Sequence, residues 1–569
     1  MSEKQKIVII GGVAAGPKAA ARARRRNPDA EIIMLERGEV TSYAGCGMPF
    51  YISGMIQDYN QLFDTAYGVK RDAQYFGREK GVQLYTRTEA KSIDRDQKQV
   101  KAVNLETGEE MTFSYDQLVL ATGASPFELP IEGKDLKGVH KLNHPDDALK
   151  IREAVDTGEI ENAVVIGAGL IGLEGADAVF NKMVDVTIVE MQDQVLPGLL
   201  DADMAEKLHQ HMREEDVELA FGDKVLKIVG DEDGKVKGVE TEKRGFIECQ
   251  MVIMSVGVRP NGQLASDAGL EVGKTGAIVV NDSLLTTDPY IYACGDCVEN
   301  THLITGDKVF TPMATYANRQ GRVVGDNLTG GNSTFKGVLG TGVAEIFEMK
   351  VARTGLGEQQ AKNKGYNVIT ALHAAFDRTH YHPAHGLMFI KVIADKDSQR
   401  ILGAQAIGKA EVAKRIDVIA TAITFGAKIE DLSNLDLGYA PPFNAPIDPV
   451  VHTVNFVGNK IAGMASGISA TEFKERVEAG DDMLLLDVRT PEQFAPKHFK
   501  DDRVMQVTLG DLRERINEVP KDKEVITICA MGSRAYEASR ILEGAGFKNV
   551  KILEGGLNAW PYQLEFEKK

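Results

Sequence analysis

The hydrophobic residues of this chain come in short β-like runs, several of which close on glycine and give way to helix-forming segments. Residues Lys6 to Gly16 read KIVIIGGVAAG, an apolar run that turns on glycines into the Ala- and Arg-rich PKAAARARRR. This order predicts a strand, a phosphate-binding turn and a helix. A second run, EIIMLE (Glu31 to Glu36), ends in an acid about twenty-five residues after Gly11, near where a Rossmann unit places its ribose-binding carboxylate.

The same pattern returns at Ala163 to Glu174, AVVIGAGLIGLE, with Gly167, Gly169 and Gly172 in full G-x-G-x-x-G register, followed by the strand DVTIVE ending in Glu190. Two dinucleotide units in one chain fit a flavoprotein whose first unit binds FAD and whose second binds a nicotinamide nucleotide. After Gly330 the pattern changes to β-like runs, GTGVAEIFEMKVARTGLG, NVITALHAAF and GLMFIKVIADKDSQRILGAQAIG, then the helical AKRIDVIATAITFG. A polar, glycine-containing stretch from Val457 to Gly467 reads as a linker, and a last unit of alternating helix and strand signals follows. The expected fold class is α/β: two Rossmann-like dinucleotide-binding domains, an α+β domain and a small parallel α/β domain. The expected boundaries are 1–120 with 245–330 for FAD, 121–244 for NAD(H), 331–452 for the α+β domain, 453–467 for the linker and 468–569 for the last domain.

The length of 569 residues agrees with several domains rather than one core. A formal charge of −17 disfavours nucleic acid or an anionic membrane as partner, so an anionic substrate must meet a local basic patch. The opening MSEKQKIVIIGG has an apolar stretch too short for a signal peptide, and no apolar run reaches the ~20 residues that span a bilayer. Cytoplasmic residence is expected. Cys46, Cys249, Cys294, Cys297 and Cys529 are odd in number and scattered, which is no disulfide framework.

In the glycine turns, missing side chains let backbone N–H groups approach a pyrophosphate at a helix N-terminus. The first turn has Val13 where the middle glycine is expected; the second is complete. Glu190 is followed by Met191, Gln192 and Asp193, so a ribose hydroxyl can be accepted while a 2′-phosphate would meet negative charge. That favours NADH over NADPH. Two more segments, LVLATGASP (Leu118 to Pro126) and YACGDCVEN (Tyr292 to Asn300), belong with the flavin, Asp296 accepting hydrogen bonds from the ribityl chain. That role accounts for the C-G-D-C of Cys294 and Cys297 better than a metal or redox pair does, and no metal site is expected. Cys249, in the strand-like FIECQMVIM, reads as core.

These pieces, in this order over about residues 5–450, resemble the pyridine nucleotide-disulfide oxidoreductase family. The resemblance implies FAD contacts at Gly11, Val13, Ala14, Gly16, Glu36, Arg37, Ala121, Thr122, Gly123, Asp296 and Ala314. It implies NAD contacts at Gly167, Gly169, Ile171, Gly172, Glu190 and Gly257. SYAGCGMPFYISG (Ser42 to Gly54) resembles the single-cysteine branch of coenzyme A-disulfide reductases, NADH oxidases and NADH peroxidases, in which one cysteine faces the flavin. Cys46 is then the thiolate nucleophile, forming a mixed disulfide or persulfide with substrate. The position five before it, where the glutathione- and lipoamide-reductase branch has a second cysteine, is Thr41, so the partner sulfur comes from substrate or the cysteine cycles through a sulfenic acid. Where the oxidases carry a histidine over that cysteine, this chain has Ala14, which favours thiol over peroxide chemistry.

The arginine-rich first helix could bind coenzyme A phosphates. By resemblance, Arg22, Arg25 and Ser42 match coenzyme A-contacting positions, and Arg71 follows Lys70 in a later basic loop. An asparagine usual next to the cysteine is Gly45 here. A tyrosine of LGYAPPFNAPIDPV, here Tyr439, reaches the dimer partner's cysteine in this branch and could protonate a leaving thiolate; Tyr381 of HYHPAH matches a second tyrosine. A homodimer is implied.

The last unit contains LLLDVRTPEQF, TICAMGSRAYEASR and LEGGLNAW, and resembles rhodanese domains over nearly its whole length. Cys529 would sit in a loop whose amides converge on a thiolate or persulfide, with Gly532 permitting the turn, Arg534 adding charge, and Asp487 and Arg489 bracing it. The expected activity is NADH-driven, FAD-dependent reduction of coenzyme A persulfide, polysulfide or coenzyme A disulfide at Cys46, with Cys529 carrying sulfane sulfur. The alternatives are an NADH oxidase or peroxidase of the same fold, or a chain that is primarily a sulfurtransferase.

Overall fold

The computed structural model describes residues 4–566, so the outer ends of the first and last expected domains lie outside the described residues. The chain divides into two compact units: residues 1–191 with 223–338, and residues 192–222 with 339–569.

In the first unit, the strand Lys6–Ile10 runs parallel to Glu31–Leu35 on one side and Gln117–Leu120 on the other, and the sheet continues through Ile291–Ala293 and Gln83–Tyr85. Ile7, Val8 and Ile9 are fully buried, each such side chain contributing about 1.5–3 kcal/mol. The helix Ala15–Arg26 turns Ala19, Ala20 and Ala23 inward. It lies so close to the helix Ala314–Asn327 that a Cβ on Gly321 would sit 2.5 Å from the Ala15 carbonyl oxygen.

The second dinucleotide unit repeats the plan, with Asn162–Ile166 parallel to both Asp185–Glu190 and Met251–Met254. The run FIECQMVIM is not one strand. Gly245–Glu248 pairs antiparallel with Val236–Thr241, while Met251–Met254 joins the parallel sheet; the break at Cys249 and Gln250 lets one apolar run serve two sheets, and Cys249 is fully buried there.

In the second unit, five strands (Gly342–Ile346, Met349–Gly355, Val368–Phe376, Leu387–Asp395 and Ile401–Gly408) form one antiparallel sheet. The last two are buried nearly throughout, as expected of strands covered on both faces. Buried Lys391 is met by Asp201 at 3.1 Å, Asp203 at 2.9 Å and Glu358 at 2.8 Å. Burial alone would lower its pKa; the three carboxylates raise it instead. Asp201 and Asp203 belong to the segment 192–222, which the sequence reading placed with the NAD(H) domain. Its helix, Ala202–Glu214, groups with the second unit, where these carboxylates meet the buried ammonium, whereas its strand Glu218–Phe221 belongs to the parallel sheet of the second dinucleotide unit.

The stretch expected as a linker is mostly helix. Pro449–Ile461 is capped by Asp448 and buries Val450, Val451, Val454 and Val457. The apolar spacing at i, i+4 and i+7 outweighs the polar composition. The domain beyond it has five parallel strands in the order Gly467–Ile468, Val550–Leu553, Glu524–Ile528, Met483–Asp487, Val504–Gln506, over a core in which Phe473, Phe499 and Trp560 meet edge to face. Among the described residues no helix is long and apolar enough to cross a membrane.

Candidate active sites

The first glycine turn is shaped for a pyrophosphate. Gly11 has φ +112°, and a Cβ there would lie 2.0 Å from the Ala121 carbonyl oxygen; one on Gly16 would lie 1.9 Å from that of Gly11. The turn Gly167 to Gly172 is its copy: φ +101° at Gly167 with 2.3 Å to Ser255 O, and 2.1 Å from Gly172 to Gly167 O. Only glycine fits these positions. Val13 at the first turn's middle position leaves the geometry intact.

Around the first turn lies a cavity of about 890 Å³ lined by Gly11, Val13, Ala14, Glu36, Arg37, Ala121, Thr122, Gly123 and Asp296. Its size suits a large, partly enclosed cofactor. The Glu36 carboxylate accepts the N–H groups of Gly12 and Gly38, both at 2.7 Å, which fixes it at the end of its strand. Thr122 and Asn261 clamp the far wall through reciprocal bonds to each other's carbonyls, 2.7 and 2.8 Å. Ala314 opens the helix whose Ala317, one turn further on, lines the cavity. Tyr43 and His144, absent from the sequence reading, also line it and meet edge to face at 5.4 Å. Burial, reinforced by Glu36, pushes the Tyr43 phenol up to about 12, so it stays a neutral hydrogen-bonding wall.

In the second turn the Glu190 carboxylate accepts the Ala168 N–H at 2.8 Å. Gly169 caps the helix Leu170–Phe180 in extended conformation, Ile171 is exposed on its first turn, and Gly257 has φ +97°.

Cys46 is exposed, in the 3-10 turn Gly45–Gly47 ahead of the helix Met48–Ser53. The helix is tied down by Arg152, which donates to the Tyr51 carbonyl at 2.7 Å. Although the residue is exposed, partial burial of its thiol raises the Cys46 pKa first, then the charges of Glu174 and, more weakly, Asp296. The helix that follows the thiol packs against Leu170–Phe180, and Tyr43, three residues before it, lines the cavity. Glu174, itself raised by burial, was missed from sequence, although an acid on a helix that buries Leu173, Gly175 and Ala176 was a signal.

The expected coenzyme A residues have partners within the protein. Arg22 pairs with Asp326 at 2.5 Å. Arg71 donates to the carbonyls of Ser42 and Asp64 at 2.5 Å each, holding Ser42 at φ +48°, a conformation non-glycine residues adopt rarely. Arg25 is exposed. Cys294 and Cys297 are fully buried and free, the Cys297 thiol donating to backbone carbonyls.

In the second unit, Cys529 lies at the end of Glu524–Ile528 and is 2% exposed. The Gly532 N–H donates to its sulfur at 3.1 Å, from a backbone of φ +97°. The loop carbonyls of Cys529 and Ala530 are held by the amides of Leu557 and Asn558 at 2.9 and 3.0 Å. Asp487 and Arg489 form a buried bidentate pair, and Arg489 also donates to Gln493 O and Lys497 O. Gln493 in turn accepts Arg534 at 2.9 Å, so one chain of contacts runs from the strand to the sulfur loop. Tyr381 and Tyr439 are 64% and 48% exposed. The neighbouring Tyr381 phenol raises the Tyr439 pKa.

The pyridine nucleotide-disulphide oxidoreductase model matches residues 5–321, its dimerisation-domain model residues 344–449 and the rhodanese-like model residues 469–562. The chain belongs to the pyridine nucleotide-disulphide oxidoreductase family. Within that family it is similar to an NAD-dependent persulfide reductase from A. fulgidus, with TM-score 0.93 and 43% identity, over 98% of this chain and 100% of that one. It is 35% identical to an NAD(P)H coenzyme A polysulfide/persulfide reductase of Pyrococcus horikoshii over 448 residues, 79% of this chain and 97% of the relative. A Methanocaldococcus jannaschii NADH oxidase is 37% identical over 443 residues, 78% and 96%. Identity over the oxidoreductase portion does not separate reductase from oxidase. The A. fulgidus match continues through the rhodanese-like domain.

Proposed function

We propose that this protein reduces coenzyme A persulfide, polysulfide or coenzyme A disulfide with NADH, releasing hydrogen sulfide or free thiol, and that Cys529 carries sulfane sulfur. The observation that carries this reading is the joint presence of a free thiol three residues from the cavity wall at Tyr43, with Thr41 in place of a second cysteine, and a rhodanese-like sulfur loop in the same chain. The cavity fits FAD, since its glycines leave room for a pyrophosphate and Glu36 and Asp296 offer acceptors for ribose and ribityl hydroxyls. Bound there, FAD supplies the two-electron path from NADH that returns the Cys46 sulfur to a thiolate. Gly167, Gly169, Gly172 and Glu190 hold NADH, and the carboxylate favours it over NADPH.

The Cys46 thiolate attacks the outer sulfur of the bound persulfide, the sulfur–sulfur bond breaks, and the coenzyme A sulfur leaves as a thiolate. Tyr439 of the partner subunit of a homodimer supplies the proton to that leaving sulfur, with Tyr381 holding its phenol. Arg25, with the turn that Arg71 fixes around Ser42 and with Arg22 beside it, faces the coenzyme A phosphates. Free thiols throughout suit a reducing compartment, the cytoplasm. The domain limits given above, with the linker shortened to 462–466, complete the reading.

The relative named as an NADH oxidase favours a second reading, in which oxygen is the acceptor; Ala14 at the position of the oxidases' histidine speaks against it. The deciding experiment follows NADH oxidation and sulfide release with coenzyme A persulfide, coenzyme A disulfide or oxygen, in wild type and Cys46→Ser. Persulfide-driven turnover with sulfide release, abolished in the variant, is expected. Fast turnover with oxygen alone would move the protein to the oxidase chemistry.

A further inference from the structure

Arg415 is among the largest fully buried side chains, 1% exposed, on the helix Ala413–Thr424 of the second unit. A cation in that position must be matched by oxygen atoms on every side, or its desolvation cost stands uncompensated. One Nη donates to the Glu411 carbonyl at 3.0 Å; the other donates to the Asp377 carbonyl at 2.5 Å and to Asn444 Oδ1 at 3.1 Å; Nε lies 3.3 Å from Asp448 Oδ2. Asp377, Asn444 and Asp448 are themselves buried.

The two ends of this cradle lead to the two tyrosines. Asp377 opens the loop carrying Tyr381, and its carboxylate accepts the Gly386 amide at 3.0 Å where that loop closes. Asn444 lies five residues after Tyr439 and donates through Nδ2 to the Gly438 carbonyl, 3.2 Å, one residue before it. Cross-contacts stitch the loops together: Arg378 donates to Pro442 O at 2.9 Å and Thr379 to Pro441 O at 3.4 Å. Both tyrosines project exposed from this buried frame, and Tyr381 raises the pKa of Tyr439. An exposed aromatic pair on two separate loops keeps one geometry only when the backbone beneath is fixed.

We infer that Arg415 is a positioning residue, which sets the Tyr381–Tyr439 pair by holding the Asp377 carbonyl and the Asn444 side chain in one buried guanidinium clamp. This rests on the reading of Tyr439 as the proton donor, and a double-mutant cycle separates the two. Arg415→Met, Tyr439→Phe and the double variant are assayed as holoenzyme for coenzyme A persulfide reduction and for NADH-driven reduction of an artificial dye that needs no thiol. The expected results for Arg415→Met are a kcat for persulfide lowered about 10²-fold with KM little changed, intact flavin content and dye reduction, and an alkaline limb of the pH profile moved to lower pH as the influence of Tyr381 on Tyr439 is lost. The double variant is no worse than Tyr439→Phe alone, because both act through one group.

Full persulfide turnover in Arg415→Met, or losses that simply multiply in the double variant, would overturn the inference while leaving the tyrosine reading in place. Full turnover in Tyr439→Phe would overturn both. Should Arg415→Met not fold, Asn444→Ala, which releases only the Gly438 end, takes its place in the same cycle with the same expected outcomes.

Discussion

Cys46 lies where three influences raise its pKa, burial first, then Glu174 and Asp296. A thiolate nucleophile in such surroundings is reactive only to the extent that substrate or cofactor contacts offset them. Removing the stronger of the two charges therefore has a definite sign: Glu174→Gln lowers the Cys46 pKa, and the thiol is alkylated faster near neutral pH, in the apoprotein as well as with FAD bound. A rate profile against pH with iodoacetamide checks it, and a profile unmoved or displaced upward would sink the assignment of Glu174 as the neighbour. Cys46 stands out in sequence because its flanking motif is specific. Glu174 does not, since only packing of the helix Leu170–Phe180 brings it to the thiol. Arg22 and Arg71 teach the converse: basic residues clustered in sequence find internal partners once folded, and charge counting cannot say which ones face solvent.

Among the elements, the strand Val368–Phe376 and the helix Pro449–Ile461 meet through a pair of imidazoles, His373 and His452, 5.6 Å apart. Burial, then the neighbouring His452, lowers the His373 pKa to about 4 from a model-peptide value of 6.5; burial lowers His452 as well, against the charge of Asp448. The folded state thus disfavours the proton that the unfolded chain accepts. Stability from this contact is complete above about 6.5 and is lost as pH falls from there toward about 4. Thermal unfolding between those limits should show the loss, and His373→Phe should flatten it. Elsewhere the hydrophobic periods predicted element types well, strands of the dinucleotide units above all. They failed at Val457 to Gly467, where polar composition masked a helix whose apolar face needs the sheet to make sense of it.

At the scale of the whole molecule, two sulfur-bearing cysteines occur in two compact units, each fixed by its own glycine turn or loop. They should therefore be separable. Cys529→Ser is expected to keep NADH-dependent reduction of preformed coenzyme A persulfide and to lose sulfane transfer from a donor such as thiosulfate to an acceptor thiol. Parallel assays of the two reactions decide; if persulfide reduction falls together with transfer, the rhodanese-like loop is part of the reductive cycle itself.

The sequence alone determined the family, the two dinucleotide units and the rhodanese-like loop, because each rests on a local backbone requirement. A glycine at φ +112° with an oxygen 2.0 Å from its missing Cβ admits no other residue, so the requirement is written in the chain. Tertiary structure decided what depends on desolvation and long-range pairing: which carboxylates neutralise Lys391, that the charge of Glu174 acts on Cys46, and that Arg415 underlies both tyrosine loops. Buried charges take the oxygen atoms that packing brings within reach, and those partners lie at sequence separations that no local pattern records.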